Sequence, residues 1–203
     1  MAGTANTFRV SSRILGPGII WAGLAIPSAS ARLTIASVDS DGLYTPDATE
    51  NPSAYALGAT KDGSVASVKS TAQDYFVDEI LAPVDRKLQV VEMSIKASLI
   101  GIADDKVATL LTRGFGTYAT SSGYKQTTIG YTSDTFTSMA IIAPLREDST
   151  KVYVFHMYKA IAEGGLEVQF NHKEMAAAPT VFKGYAITTR ALTDQIGNAW
   201  WQI

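Results

Sequence analysis

The sequence contains no cysteine, so it offers neither a disulfide framework nor a thiolate metal site. Charged residues make up only 18% of the chain and the formal net charge is −2, which is unlike the basic surface of a protein that grips nucleic acid. The two histidines, His156 and His172, lie in strand-like stretches without a second ligand at a metal-binding spacing. We therefore expect no metal and no cofactor, and ordinary strand positions for both histidines.

Catalytic motifs are missing as well. There is no Gly-x-Ser-x-Gly elbow, and the stretch "LGATKDGSV" at residues 57–65 lacks the Lys-Ser/Thr pair that opens a phosphate-binding helix. Lys61 is followed instead by Asp62 and Gly63, and an Asp-Gly pair strongly favours a β-hairpin turn. Because no set of nucleophile, base and orienting group can be assembled either, the sequence predicts a hairpin here and a protein that is not an enzyme.

The chain does contain stretches in which apolar and polar residues alternate, the pattern of a β-strand with one buried face. Hydrophobic residues make up 46% of the composition, enough for the core of a single domain over residues 1–203. Residues 91–99 alternate between apolar and polar, which predicts a strand with one buried and one wet face. The predicted buried set is Val91, Met93, Ile95, Ala97 and Leu99, and the predicted wet set is Glu92, Ser94, Lys96 and Ser98. Further strands are predicted at residues 31–38, 64–70, 74–80, 126–132, 135–143, 151–161, 166–170 and 180–189, so the fold is mainly β.

Only one segment, at about residues 103–113, predicts a helix. Asp104 and Asp105 stand where the helix dipole favours negative charge, and Arg113 and Gly114 fit the C-terminal end. Adjacent helical residues point about 100° apart, so the two aspartates do not converge on a metal ion. Two long polar connections, at residues 39–55 and 113–125, are predicted to be functional or interface loops.

The N-terminal region resembles a signal peptide in composition. Residues 14–31 carry no charge, and the stretch ends in Ala29-Ser30-Ala31, which resembles the small-residue cleavage site of a signal peptide. However, Gly16-Pro17-Gly18 and Pro27 interrupt any continuous helix. We therefore predict an apolar arm at residues 1–30 rather than a cleaved leader or a membrane anchor. The arm and the 39–55 loop are expected to be mobile in a free subunit and to become ordered on assembly. At the other end of the chain, Trp200 and Trp201 predict a closing strand or an interface anchor.

Three segments carry a specific order of elements. They read "YALGATKDGSVASV", "YFVDEILAPVDRKLQVVEMSIKASLIGIADDKVATLLT" and "VYVFHMYKAIAEGGLEVQFNHKEMAAAPTVFKGYAITT". A Gly-containing hairpin entry, a long alternating strand that runs into one short helix, and a closing pair of strands follow one another. This order resembles the tail tube (major tail) proteins of long-tailed, siphovirus-type bacteriophages, and the resemblance covers residues 55–203.

The resemblance implies an antiparallel β-sandwich or barrel with one flanking helix, whose copies close into hexameric rings that stack into a hollow tube for DNA. It implies a virion protein, assembled in the host cytoplasm, whose partners are itself, the tape-measure protein, the tail terminator and the distal tail proteins. DNA would pass through without specific binding. If the strand at residues 91–99 belongs to the inner sheet, its wet residues Glu92, Ser94, Lys96 and Ser98 line the lumen. The candidate interface residues are Ile19, Ile20, Trp21, Leu43, Tyr44, Trp200 and Trp201.

Two other classes stay open at the level of sequence. A tail terminator, a head-tail completion protein or the tube of a contractile secretion system would share the same ring logic. A secreted carbohydrate-binding or adhesive β-domain would instead use the signal-like N-terminus and the exposed aromatic residues. Assembly separates the first class from a tube protein, and the mass of the mature N-terminus separates the second.

Overall fold

Antiparallel β-sheets dominate the chain, as the sequence predicts. The computed structural model describes residues 18–29, 31–38, 44–58, 60–75, 85–100, 109–111, 118–121, 124–127, 134–145, 150–163 and 177–202. Residues 109–111 are helical, within the predicted helix, and the rest of that helix lies outside the described residues. Also outside them are the predicted strand at residues 166–170 and most of the one at 126–132.

Within the described residues, twelve strands form one large sheet and two small ones. The strands are β1 (Ile19–Ala22), β2 (Ile35–Val38), β3 (Tyr44–Pro46), β4 (Tyr55–Ala56), β5 (Thr60–Tyr75), β6 (Asp85–Leu99), β7 (Tyr118–Ser121), β8 (Tyr124–Thr127), β9 (Thr137–Pro144), β10 (Val152–Glu163), β11 (Ala178–Gly184) and β12 (Gly197–Trp201). The main sheet has the order β4-β1-β9-β10-β11-β6-β5, and β12 pairs with the first half of β10. The strand pairs β2–β3 and β7–β8 form the two small sheets.

One face of the main sheet is apolar from β1 across to β6. Residues that pair across antiparallel strands point to the same side, so the register decides which side chains share a face. Met93, Ile95 and Phe182 lie on this apolar face together with Met157 and Ile20. Leu110 and Leu111 of the helical segment join the same buried cluster. The helix therefore packs on this side of the sheet.

The opposite face of the main sheet has two different halves. Over β1, β9, β12 and the start of β10, it is apolar and packs against the β2–β3 sheet, with Leu33 and Tyr44 set against Ile142 and Val154. We call this the covered half; it is a sheet-on-sheet contact, as in a β-sandwich. Over the end of β10 and over β11, β6 and β5, the same face is mostly polar, although Ile161 and Val65 also point to it. We call this second part the open half.

Strand β5 corrects the predicted hairpin at Asp62-Gly63. Gly63 has the expected positive φ of 79°, but it lies inside one continuous strand, where the register to β6 shifts between Thr60 and Ser64. The glycine therefore serves a β-bulge instead of a chain reversal. The strands predicted separately at residues 64–70 and 74–80 join in β5 up to Tyr75, and the rest of the second lies outside the described residues.

Beyond the main sheet, β5 and β6 continue as a two-stranded ribbon. The pairing between β11 and β6 ends at Ser94, whereas β5 and β6 stay paired as far as Tyr75 and Asp85. Val91 lies on this ribbon and is 38% exposed, so its predicted burial is wrong. Met93, Ile95, Ala97 and Leu99 are buried as predicted. Val91 differs from them because no third strand among the described ones continues the apolar face that far.

Residues 19–22 of the predicted N-terminal arm form an internal strand, β1, so this part of the arm is not an external element. β1 lies between β4 and β9, where Ile20 pairs with Ile141 and Trp21 pairs with both Ala140 and Ala56. Ile20 and Ala22 are buried on the apolar face. The subunit therefore covers this segment with its own sheet and needs no second copy to do so.

The predicted assembly loop at residues 39–55 also has internal structure where it is described. Tyr44–Pro46 forms β3, and a turn follows in which the Asp47 carboxylate accepts a hydrogen bond from the Thr49 amide at 2.7 Å. The buried Asn51 side chain accepts from the Ala25 amide at 3.0 Å and donates to the Asp47 carbonyl at 3.0 Å. These bonds fix the described part of the loop on the subunit beside β1.

A polar network holds the C-terminal segment. The strand predicted at residues 180–189 ends at Gly184, and a 3-10 helix, Leu192–Asp194, precedes β12. The Tyr158 hydroxyl donates to Asp194 at 2.7 Å, Arg190 forms an ion pair with Asp194, and Arg190 also donates to the Pro27 carbonyl at 2.8 Å. Burial and the Asp194 carboxylate raise the pKa of Tyr158 to about 12. In the described ranges, no helix has the length and apolar character to span a membrane.

Candidate functional site

The four predicted lumen residues lie together on the open half. Glu92, Ser94, Lys96 and Ser98 occupy alternate positions of β6, so they share the face opposite to Met93 and Ile95. Glu92 and Lys96 are exposed and the two serines are half-buried. The helical segment packs against the other face of the sheet. These side chains are therefore not underneath the helical segment.

Register adds residues from three further strands to this face. In β5, Ser67 pairs with Ser94 and Lys69 pairs with Glu92, while in β11 Lys183 pairs with Ser94. The hydroxyl oxygens of Ser67 and Ser94 are 2.7 Å apart and share a hydrogen bond. A shallow cavity of about 160 Å³ lies on this face. It is lined by Lys69, Glu92, Ser94, Lys96, Glu163, Val181 and Lys183.

Lys183 lies between two carboxylates of different strands. Its Nζ atom is 3.6 Å from Oε1 of Glu92 on β6 and 3.6 Å from Oε1 of Glu163 on β10. The carboxylate of Glu163 and then that of Glu92 raise the pKa of Lys183 above its usual value, so the side chain stays charged. Sequence reasoning missed this trio, because the three residues are far apart in the chain and only the strand register brings them together.

Two of the predicted interface residues lie in the core of the subunit. Ile20 and Tyr44 are buried, Ile20 on the apolar face and Tyr44 in the covered half. They are therefore not surface contacts in this conformation. Trp21 is half-buried, and its indole N–H donates to the Tyr44 carbonyl at 3.1 Å. Ile19 is half-buried, and Leu43 lies outside the described residues.

The tandem tryptophans point to opposite faces of β12, the closing strand that the sequence allowed. Trp200 packs in the covered half, with the Arg32 guanidinium 5.8 Å from its ring centroid. Trp201 is 53% exposed and stacks on Tyr153 with the ring centroids 6.5 Å apart. Of the two, Trp201 is the residue that is accessible to a partner.

Several exposed apolar residues were not anticipated. Val65 and Val68 of β5 are 60% and 57% exposed, and Leu192 in the 3-10 helix is 89% exposed. Phe136 and Tyr185 form an edge-to-face pair at the surface, with their ring centroids 5.4 Å apart. The valines of "SVASVKS" are three residues apart, so they point to opposite faces of a strand, and the sequence shows no alternation from which their exposure could be predicted.

His156 is a buried strand residue, in agreement with the sequence prediction. On β10, its Nε2 atom is 2.7 Å from Oγ of the buried Ser138. Burial, and secondarily the nearby Arg190 charge, lower its pKa to about 4, so the ring is neutral at pH 7. Among the described residues its Nδ1 atom has no hydrogen-bond partner, so no carboxylate orients the ring there. The pair therefore belongs to the packing of the sheet.

Neither a metal site nor a match to a known protein indicates a function. Within the described part of the chain, no three His, Asp or Glu side chains converge as a metal site would require. His172, Asp104 and Asp105 lie outside the described residues. No protein-family model matches the chain, and no curated protein matches it with statistical significance.

Proposed function

We propose that this chain is the structural subunit of a phage tail tube, which closes into hexameric rings that stack into a hollow conduit for DNA. The observation that carries the proposal is the edge strand β5. It is sixteen residues long, it ends the main sheet, and no other described strand pairs with its outer edge. A long open edge of this kind presents a row of backbone donors and acceptors to another chain.

Pairing of β5 with a neighbouring copy satisfies this edge and continues the main sheet from subunit to subunit. The contact is head-to-tail, because the opposite end of the sheet is the two-residue strand β4, and head-to-tail contacts generate rings when the rotation closes. The exposed Val65 and Val68 give such a contact apolar area on both faces of β5. The resemblance to tail tube proteins supports hexameric closure.

The protruding ribbon supports contact between subunits as well. Its strands run for about 25 Å beyond the last residue paired to β11. Isolated two-stranded ribbons are only marginally stable in water, so a ribbon of this length gains stability when another surface packs on it. In the proposed tube that surface belongs to an adjacent copy.

The open half supplies the wall of the conduit in this proposal. Its polar side chains lie opposite the helix-covered face, so a ring that turns the helices outward turns this face inward. The tape-measure protein occupies the lumen during assembly, and the terminator and distal tail proteins cap the ends. DNA passes through the tube on ejection, and the protein is part of the virion, assembled in the host cytoplasm.

Electron microscopy of the concentrated full-length chain tests this function. We expect rings or tubes for the parent, and monomers for a Val68→Asp variant, because this position is exposed in the subunit and proposed to be covered in the ring. A Thr188→Asp variant adds the same charge at an exposed turn away from β5 and should assemble like the parent. A chain that stays monomeric even with tail initiators contradicts the proposal, and single rings that never stack indicate a terminator or completion protein.

A further inference from the structure

We propose that Glu92 and Glu163 mask the charge of Lys183, and that this masking sets how weakly the open half holds double-stranded DNA. The inference rests on the proposed function, since it concerns the wall of the conduit. It assigns a specific role to Glu163 and Lys183, neither of which the sequence pointed to.

The charge balance of this face makes the masking necessary. Three lysines and two glutamates line the shallow cavity, so the cavity itself has a small positive excess, in contrast to the net negative chain. Lysine ammonium groups that reach phosphates release counterions, and each such contact strengthens binding to DNA. A repeated ring of free lysines would retain a polyanion that has to slide.

The geometry shows how one of these lysines is withheld. Nζ of Lys183 has a carboxylate oxygen at 3.6 Å on each side, one from β6 and one from β10, while β11 carries the lysine between them. Both carboxylates are fixed to neighbouring strands of one sheet, so they do not depend on a mobile loop. A phosphate that approaches Lys183 meets two negative charges within the same few ångströms, and the attraction is cancelled at contact distance.

A comparison of variants isolates this effect. The full-length chain is mixed with a short fluorescent DNA duplex, and the affinity is measured by anisotropy across a series of salt concentrations. For the Glu92→Gln/Glu163→Gln double variant we expect affinity to rise about fivefold or more at low salt. We also expect the slope of log affinity against log salt to steepen by about one, the contribution of one lysine–phosphate contact.

Lysine substitutions in two backgrounds supply the decisive contrast. Lys183→Gln should leave DNA binding unchanged in the parent, where the charge is masked, and should remove the gain in the double variant. Glu50→Gln removes one negative charge from an exposed turn and should not reproduce the gain. Glu163→Gln alone, which leaves Glu92 beside Lys183, should give a smaller gain and provides a second variant if the double variant folds poorly.

Each outcome supports or overturns the masking. Unchanged affinity in a folded double variant, a gain that survives Lys183→Gln, or an equal gain from Glu50→Gln overturns it. Electron microscopy of the same proteins separates this result from the proposed function. Rings without the gain in DNA binding refute the masking alone, whereas absence of rings refutes the tube whatever the DNA result.

Discussion

The covered half and the open half of the main sheet belong to the same face and share the strand β10. The covered half is apolar and buried, whereas the open half carries charged side chains at the surface. The start of β10 places Val154 against the β2–β3 sheet and the buried His156 on the same face, and its end places Glu163 beside Lys183 at the surface. A register shift between Met157 and Ala160 separates the two parts. One strand thus contributes to the fold at one end and to the surface chemistry at the other.

The comparison separates residues that stabilise the subunit from residues that are free to serve assembly. In the covered half a second sheet excludes water from apolar side chains, so burial provides the stability. In the open half most apolar side chains of the same strands point to the other face, and the side chains of Glu92 and Lys96 meet solvent. Substitutions on the covered surfaces should therefore affect unfolding, and those on the open half should affect binding and assembly.

The largest expected effect comes from two consecutive residues of β11 that point to opposite faces. Phe182 is fully buried on the apolar face, and Lys183 lies on the open half. Phe182→Ala should lower the free energy of unfolding by about 3–5 kcal/mol through lost burial and a cavity. Lys183→Ala should leave it nearly unchanged, because solvent screens the exposed ammonium group. Denaturant titration measures both, and similar losses would show that the open half is itself covered in the subunit.

The second effect is a pH dependence located in the covered half. The pKa of His156 is about 4 in the fold, against 6.5 for an unperturbed histidine. As the pH falls below 6.5, the unfolded chain takes up the proton first, so the fold loses stability until the pH reaches about 4. The loss over this window is about 3 kcal/mol, and the contribution is fully present above pH 6.5.

A His156→Gln variant tests this assignment. It should be less stable than the parent at pH 7, because it disturbs the contact with Ser138, but its stability should fall less steeply between pH 6.5 and 4. The neighbouring Arg190, Asp194 and Tyr158 stay the same in both proteins, so the difference in slope reports the histidine. Parallel stability curves for the two proteins would rule out a buried neutral His156.

The third effect compares two glycines that are needed for different reasons. A Cβ atom on Gly197 of β12 would collide with the His156 carbonyl on the neighbouring strand β10, and Gly197→Ala should cost about 1–3 kcal/mol. At Gly63 a Cβ atom would meet nothing within 4 Å, but the φ of 79° strains other residues, so Gly63→Ala should cost about 1 kcal/mol. Thermal unfolding of the two variants measures the order, and a reversed order would contradict the close packing of β12.

The sequence could predict the part of the fold in which one face of a strand is wet. In β6 the alternation identified four buried residues and the four polar ones that share the open half. It could not identify β1, because a strand buried on both faces has no alternation, and its short apolar run resembled an arm. It also misjudged Val91, because the end of the β11 pairing is set by strands distant in the sequence.

The structure at Gly63 was also set by residues distant in the sequence and could not be predicted from the local sequence alone. A positive φ is needed both for a hairpin turn and for a β-bulge, so the Asp-Gly pair marks an irregular backbone without saying which kind. The partner strand β6 makes the choice, because its pairing continues on both sides of the glycine. The ion pairs of Lys183 were unpredictable for the same reason, since register between strands is a long-range property.

The smallest expected effect on stability comes from the ion pairs of Lys183 with Glu92 and Glu163. Its size distinguishes a structural role of these pairs from a role in DNA binding. The side chains of Lys183, Glu92 and Glu163 are 34–48% exposed, so solvent screens their attraction and the pairs contribute little to stability. Glu163→Gln should therefore shift the free energy of unfolding by less than about 0.5 kcal/mol, as judged by denaturant titration at low and high salt. A loss of about 2 kcal/mol or more would make the pairs a structural element of the subunit. A negligible loss, together with stronger DNA binding, would mean that these charges act on what passes over the open half and add almost nothing to its folding.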